Sequence, residues 1–562
     1  MSKGIITGRG DFLAETSAKS RFLGGVTVLT VSTAAVKLIG LFYKIPLIKL
    51  VGIGGMAYFL AAYHIYTLLF MLSTSGLPVA VSILVARSRA EGKNADAERT
   101  YRISLILFSL IGVLCSAVLY ALSDIAAAAV GIPEASHCIR AVAPSLLFAA
   151  SGSAVRGYFQ GRQDMRPTAI SQLIESGGKL ILGLAFTKAA ISASLPTEVV
   201  AAFSIAGLTA GSLGSTLYLF IRRAFVRRKE RSLPQAPVTD MPVGKVICEI
   251  ASISAPITLG AAVMSITSLI DTALIAKRLQ AAGFAPSAAN MLYSSYGNLS
   301  IPMFNLIPAF IAPVALSMTP LLTEAAQRRD RERARELLGG AMRICAIVAI
   351  PASLGLAVFG REILTLIFRT EAAATDIAAP LLTVLSPAIF FSCLITVTNA
   401  ALQAYGKAQK PIISMAVGAA VKIGAEFILV GMPSVNIFGA PISTILCDLT
   451  IVLINLYFIG KYTCSIGENG LFGVFARPLF ASGISAVATV VFAGILRRSL
   501  GVSKYAIIPV IIFNVAFYAF FVLFTGTVSD EDIKLLPQGE KIAGIIKPKR
   551  KKQWEKKIRS KR

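Results

Sequence analysis

The fold is decided by residues 32–86, which read STAAVKLIGLFYKIPLIKLVGIGGMAYFLAAYHIYTLLFMLSTSGLPVAVSILVA. Two long apolar runs in this stretch are separated by the glycine-rich segment VGIGG at 51–55. A membrane-spanning helix needs about 20 mostly apolar residues, and each run is long enough. The stretch therefore predicts two consecutive spans, Phe22–Ile48 and Met56–Ala86.

The composition of the whole chain agrees with a membrane protein. Of the 562 residues 55% are hydrophobic and 15% are charged, and the mean hydropathy is +0.72. Soluble domains carry roughly 25% charged residues. The two histidines and the seven scattered cysteines, which include no CxxC motif, leave little material for a metal or catalytic cluster. We expect neither a cofactor nor an enzymatic activity.

Applied to the rest of the chain, the same length criterion predicts twelve further spans. They are Tyr101–Ser123, Ala141–Gln160, Pro167–Ala190, Val199–Phe220, Val246–Ala276, Met291–Leu322, Gly340–Phe359, Ala378–Leu402, Ile412–Gly431, Ile437–Gly460, Phe475–Leu496 and Ala506–Thr525.

The distribution of lysine and arginine predicts the orientation. If the N-terminus is cytoplasmic, basic residues favour the cytoplasmic segments over the external ones by about four to one. We therefore expect a multi-pass protein of the cytoplasmic membrane with both termini inside. The basic tail 526–562 then lies beside the membrane, where it is better suited to anionic lipids than to nucleic acid.

The chain contains an internal repeat. Four residue pairs match at a shift of 235: Tyr58 with Tyr293, Pro78 with Pro313, Ala80 with Ala315, and Ser82 with Ser317. A second group matches at slightly larger shifts: Gly161 with Gly406, Pro167 with Pro411, and Lys179 with Lys422. Each shift equals six predicted spans, so the two copies have the same orientation, as in some transporters.

These observations predict an all-α polytopic membrane protein of 14 transmembrane helices, arranged as two parallel-repeat six-helix bundles plus two C-terminal helices. The predicted parts are an N-tail (1–21), a first bundle (22–222), a cytoplasmic linker (223–245), a second bundle (246–460), two additional helices (461–525) and the basic tail (526–562).

Residues 32–86, together with GYFQGRQDMRPTAISQLIE at 157–175, resemble the polysaccharide-export branch of the multidrug/oligosaccharidyl-lipid/polysaccharide exporter superfamily. This resemblance implies two bundles around a cleft that opens alternately to each side. It also implies a polyprenyl-pyrophosphate-linked glycan as substrate. Lipid II flippases of this superfamily are similar in placing a basic residue on the first helix, where this chain has Lys37.

Ionisable residues within predicted spans are candidate site residues, because a charge at mid-membrane costs at least ~2.5 kcal/mol. The predicted substrate-binding residues are Lys37, Lys44, Lys179 and Lys422. The predicted gating or ion-coupling residues are Asp271, Glu175, Glu426 and Asp448. Together with Arg156, which we interpret as structural, these charges nearly balance. The superfamily's lipid II flippases have arginine-rich cavities instead, so this balance leaves the identity of the glycan open.

Spacing suggests which of these charges meet. Glu175 and Lys179 are four residues apart, as are Lys422 and Glu426, so each pair can share one helix face. The 235-residue shift carries Lys37 to position 272, beside Asp271. Lys37 and Asp271 are therefore a hypothetical gate, in which a pyrophosphate displaces the acid.

The sequence favours a flippase that moves a lipid-linked cell-wall or polysaccharide precursor outward. Two alternatives stay open: a cation-coupled multidrug exporter of the same fold, and a non-transporting scaffold for cell-wall synthesis. No Walker A motif is present, so the energy source, including any coupling cation, is left open.

Overall fold

The computed structural model describes residues 7–230, 242–368, 372–462, 470–500 and 507–524. Within these ranges the regular secondary structure is helical, without a β-strand. The chain divides into two compact units, Met1–Ser294 and Ser295–Arg562. The domain bounds predicted from the sequence stay predictions.

The first unit is built from α1 to α9 and nearly all of α10. These helices are α1 (Thr7–Thr74), α2 (Leu77–Ala90), α3 (Asn94–Ala121), α4 (Ser123–Ala129), α5 (Ser136–Val142), α6 (Ser145–Gly161), α7 (Arg166–Ser192), α8 (Thr197–Glu230), α9 (Val243–Ala281) and α10 (Pro286–Ser295).

The second unit begins with a π-helical turn, Tyr296–Ser300, which leads into α11. Its helices are α11 (Ile301–Gln327), α12 (Arg331–Phe368), α13 (Ala372–Ala404), α14 (Gln409–Val430), α15 (Gly439–Tyr462), α16 (Gly470–Leu500) and α17 (Ile507–Phe524).

Helix α1 contains the first predicted span and most of the second. It bends at Gly52, where φ is 75° and ψ is 161°. This left-handed conformation favours glycine, which has no Cβ to clash. The second predicted span is divided between two helices. Its second part is α2, which starts at Leu77 with Pro78 in its first turn, a position that suits proline.

Eleven helical segments among the described residues are long and apolar enough to cross a membrane. One of them, Leu38–Ala90, covers parts of the first two predicted spans. Helix α7 is not among the eleven, and it carries the charged residues Glu175, Lys179 and Lys188. The chain is a multi-pass membrane protein, and the fourteen-span arrangement stays a prediction.

Large apolar side chains point outward from several helices. Leu110, Ile181, Val487 and Ile512 are between 63% and 68% exposed. Apolar surface on this scale is rare in soluble monomers. This apolar surface is suited to contact with the lipid chains of a membrane.

Helices α7 and α8 pack backbone against backbone. A Cβ added to Gly207 of α8 would lie 2.3 Å from Gly183 Cα, and one added to Gly211 would lie 2.4 Å from the Glu175 carbonyl oxygen. Small residues allow this close approach between membrane helices. The contact brings Glu175 of α7 beside the polar face of α8.

Candidate functional site

In the first unit, Lys179 of α7 projects against an aromatic face of α1. Its Nζ lies 5.1 Å from the ring centre of Tyr43, 5.0 Å from that of Tyr63 and 6.0 Å from that of Phe59. Phe59 and Tyr63 are one turn apart and stack with their ring centres 6.3 Å apart. Each ring can stabilise a desolvated ammonium by about 2 kcal/mol. The rings therefore support a positive charge inside the membrane.

Lys44 of α1 belongs to the same site. It lies close enough to Lys179 for the two positive charges to repel each other. The neighbouring Tyr43 is buried, and its hydroxyl donates a 2.8 Å hydrogen bond to the carbonyl oxygen of Ser204 on α8. This bond ties α1 to α8 at the level of the two lysines. Two of the four predicted substrate-binding lysines thus come together.

Glu175 does not pair with Lys179, although the two can share a helix face. Its carboxylate instead accepts a 2.8 Å charge-assisted hydrogen bond from Arg156 of α6. Arg156 also donates to Ser171 of α7 and to Ser215 of α8, both at 3.0 Å. This network joins α6, α7 and α8. It also leaves Lys179 without a carboxylate at ion-pair distance among the described residues.

The matched helices of the second unit are joined by uncharged groups. Asn455 of α15 is fully buried and accepts a 2.6 Å hydrogen bond from Ser414 of α14. Its amide nitrogen donates to Thr398 at 3.0 Å and to Asn399 at 2.8 Å, both on α13. The two repeats therefore hold corresponding groups of three helices together in different ways. The first unit uses a charged pair, and the second unit uses uncharged polar groups.

The predicted site residues of the second unit, Lys422, Glu426 and Asp448, lie on α14 and α15. Asp448 of α15 is close enough to Lys422 of α14 for their charges to attract. Its Oδ2 atom is buried and accepts no hydrogen bond from the described residues. Glu426 is fully buried. Lys422 thus faces an acid of a neighbouring helix, whereas Lys179, the matching residue of the repeat, lies against aromatic rings of α1.

Of the two predicted gate residues, the structure describes the side chain of Asp271 but not that of Lys37. The side chain of Lys37 lies outside the described part of α1, so its pairing with Asp271 stays a prediction. Asp271 is half-buried on α9. The adjacent Thr272 forms a 2.6 Å hydrogen bond with His64 of α1 and accepts another from Tyr293 at 3.0 Å.

His64 is a candidate site residue that the sequence did not predict. The signal was present, because an ionisable residue in an apolar run is by default a functional candidate. Its bond to Thr272 links α1 to α9 next to Asp271. The polar contact between these two helices therefore involves a residue that the predicted gate did not include.

Comparison with known proteins gives two matching family models. One, described as "Polysaccharide biosynthesis protein", matches residues 22–324, which is more than half of the chain. The other, described as "MatE", matches residues 256–428.

Two proteins of Bacillus subtilis (strain 168) resemble the chain over most of its length. "Stage V sporulation protein B" is 25% identical over 447 residues, which cover 79% of this chain and 84% of that protein. "Lipid II flippase MurJ" is 25% identical over 458 residues, which cover 79% of this chain and 83% of that protein.

Among solved structures, "Lipid II flippase MurJ, inward closed conformation" aligns with a TM-score of 0.68 at 14% identity, and covers 89% of this chain and 98% of that one. At this identity the likeness concerns the fold alone. The superfamily inferred from residues 32–86 and 157–175 is confirmed. The chain belongs to the polysaccharide biosynthesis protein family of the multidrug/oligosaccharidyl-lipid/polysaccharide exporter superfamily.

Proposed function

We propose that the protein is a flippase that moves a polyprenyl-pyrophosphate-linked oligosaccharide, or a related cell-wall or polysaccharide precursor, outward across the cytoplasmic membrane by alternating access. The observation that carries this proposal is the Lys179 ammonium group, which lies 5.0 to 6.0 Å from three aromatic ring centres of α1 and has no carboxylate at ion-pair distance among the described residues. The relatives support the same class of substrate, since one of them is named as a lipid II flippase.

The two lysines suit a diphosphate for an electrostatic reason. Like charges repel strongly where the dielectric constant is low, so the ammonium groups of Lys44 and Lys179 destabilise each other. An anionic pyrophosphate between the two ammonium groups replaces this repulsion with attraction. Lysine holds a phosphate as a point charge without the fixed fork of arginine, which tolerates a ligand that moves through the site.

A transport assay with the full-length protein tests the proposal. Proteoliposomes would carry a polyprenyl-pyrophosphate-linked glycan, and an added impermeant glycosidase would report its movement between leaflets. We expect Lys179→Ala to lower the transport rate roughly 10- to 100-fold, the range for losing one charge-assisted hydrogen bond. Lys179→Arg should retain part of the activity because it keeps the charge.

Lys188→Ala is the matched control, because Lys188 lies on the same helix but is exposed. It should transport at the rate of the unmodified protein. If Lys179→Ala also transports normally, Lys179 is not a substrate contact. If the unmodified protein moves no glycan while it extrudes a lipophilic cation, the alternative below is correct.

A cation-coupled multidrug exporter is the second candidate. The MatE match over residues 256–428 and the buried Asp448 oxygen favour it, since ion coupling needs a titratable acid. Dye efflux driven by an imposed sodium or proton gradient separates the two functions. An exporter would lose this efflux on Asp448→Asn, whereas a flippase would show no gradient-driven efflux of the dye.

A further inference from the structure

Three lysines of the second unit surround one tyrosine at the end of α13 to α15. Lys407 follows α13, Lys410 lies in the first turn of α14, and Lys461 and Tyr462 end α15. Their Nζ atoms lie 5.4, 5.4 and 5.6 Å from the ring centre of Tyr462. We call Lys407, Lys410, Lys461 and Tyr462 the Tyr462 cluster.

No acid in the described ranges of the chain pairs with this cluster. None of the three lysines forms an ion pair with a residue in the described part of the chain. Lys407 and Lys461 are exposed and Lys410 is half-buried, so the ammonium groups are accessible. Three positive charges converging on one ring repel each other, and the ring offsets only part of that repulsion. A bound anion would therefore relieve the repulsion between these ammonium groups.

The first unit provides an internal comparison. Near the end of α8, Arg223 lies over the rings of Tyr101 and Tyr158, at 5.0 and 4.3 Å. There, however, Glu98 of α3 pairs with Arg223, with Arg102 at 3.3 Å and with Arg227 at 3.8 Å.

In the first unit, therefore, the carboxylate of Glu98 balances the charge of a group of arginines that lies beside tyrosines. The 235-residue shift carries Glu98 to Arg333, so the repeat has a base where the first copy has this acid. Among the described residues of the second unit, no acid pairs with the three lysines as Glu98 pairs with the arginines of the first unit.

We propose that the Tyr462 cluster binds the phosphate of an anionic phospholipid head group. The cluster lies at the ends of apolar helices, where head groups lie, and basic pockets between such helices bind anionic head groups. Aromatic side chains accompany it, as is usual at a membrane interface. Tyr457, which is 62% exposed, lies 6.0 Å from the Lys461 Nζ. The Tyr462 cluster shares no residue with the proposed transport site at Lys44 and Lys179.

Native mass spectrometry of the detergent-solubilised full-length protein tests this inference. Titration with phosphatidylglycerol should give a saturable adduct that phosphatidylcholine does not give at the same concentration. In the triple variant Lys407→Gln, Lys410→Gln, Lys461→Gln the affinity for phosphatidylglycerol should fall roughly 100-fold, because each of the three lysines near an anionic lipid contributes about a factor of five. Tyr462→Phe keeps the ring and should bind nearly as well as the unmodified protein.

The control is Arg328→Gln, Arg329→Gln, Arg331→Gln, which removes the same charge where α11 ends and α12 begins. It should bind phosphatidylglycerol with unchanged affinity. An equal loss in both triple variants would show a general charge effect and overturn the site. Saturable binding of inorganic phosphate at these lysines, without a preference for the lipid, would overturn the assignment to a head group.

Discussion

The guanidinium of Arg156 has one carboxylate partner among the described residues, Glu175, and the two side chains are only 13% and 22% exposed. Removing one member of a buried pair leaves the other charge uncompensated. We expect Glu175→Gln to lower the free energy of unfolding by about 2–3 kcal/mol, somewhat below the range for fully buried pairs. Thermal or denaturant unfolding of the protein in detergent measures this change.

The surface pair of Arg140 and Asp124 serves as the control, with side chains 39% and 66% exposed. Asp124→Asn should cost at most about 1 kcal/mol, since water already solvates both charges. Equal losses of unfolding free energy in the two variants would mean that Arg156 is no better shielded from water than a surface residue. The network across α6, α7 and α8 would then not be a stabilising element.

At the scale of elements, the contact between α7 and α8 depends on the absence of side chains. Gly207→Ala places a methyl group 2.3 Å from backbone, so the helices must separate. Because the site residues Glu175 and Lys179 lie along this contact, we expect a much lower yield of monodisperse protein and a lower melting temperature. Size-exclusion chromatography and thermal unfolding in detergent report both.

Gly177→Ala is the matched change on α7, since a Cβ there meets no heavy atom within 4 Å. It should be neutral or stabilise the protein by up to about 1 kcal/mol, the usual gain of alanine over glycine within a helix. Similar damage from Gly177→Ala would indicate that α7 needs glycine for its backbone conformation rather than for packing.

For the whole molecule, the basic segments predict which loops face the cytoplasm. Single cysteines at Arg99, Lys229 and Arg331, in a background without the native cysteines, should resist an impermeant maleimide in intact cells and react after permeabilisation. Cysteines at Glu134, Phe284 and Val502, the last of which lies outside the described residues, should react in intact cells. Strong labelling at position 229 in intact cells would contradict the fourteen-span model.

The sequence alone determined the membrane class, the superfamily and the all-helical character of the chain. Hydropathy is a sum over neighbouring residues, so the apolar runs at 22–48 and 56–86 can be recognised without knowledge of any contact. The break between these runs could be read as well, because the segment at 51–55 is rich in glycine, and Gly52 adopts a backbone conformation that glycine favours.

Only the tertiary structure decided which side chains contact each other between helices. Spacing along α7 allowed Glu175 to meet Lys179, yet Arg156 of α6 takes the carboxylate and Lys179 lies against rings of α1. His64 likewise meets Thr272, which is 208 residues away. A local pattern shows which residues share a helix face. The packing of helices that are distant in the sequence decides which helix faces oppose each other. Here the glycine contact between α7 and α8 does so, and no neighbouring residue in the sequence specifies that contact.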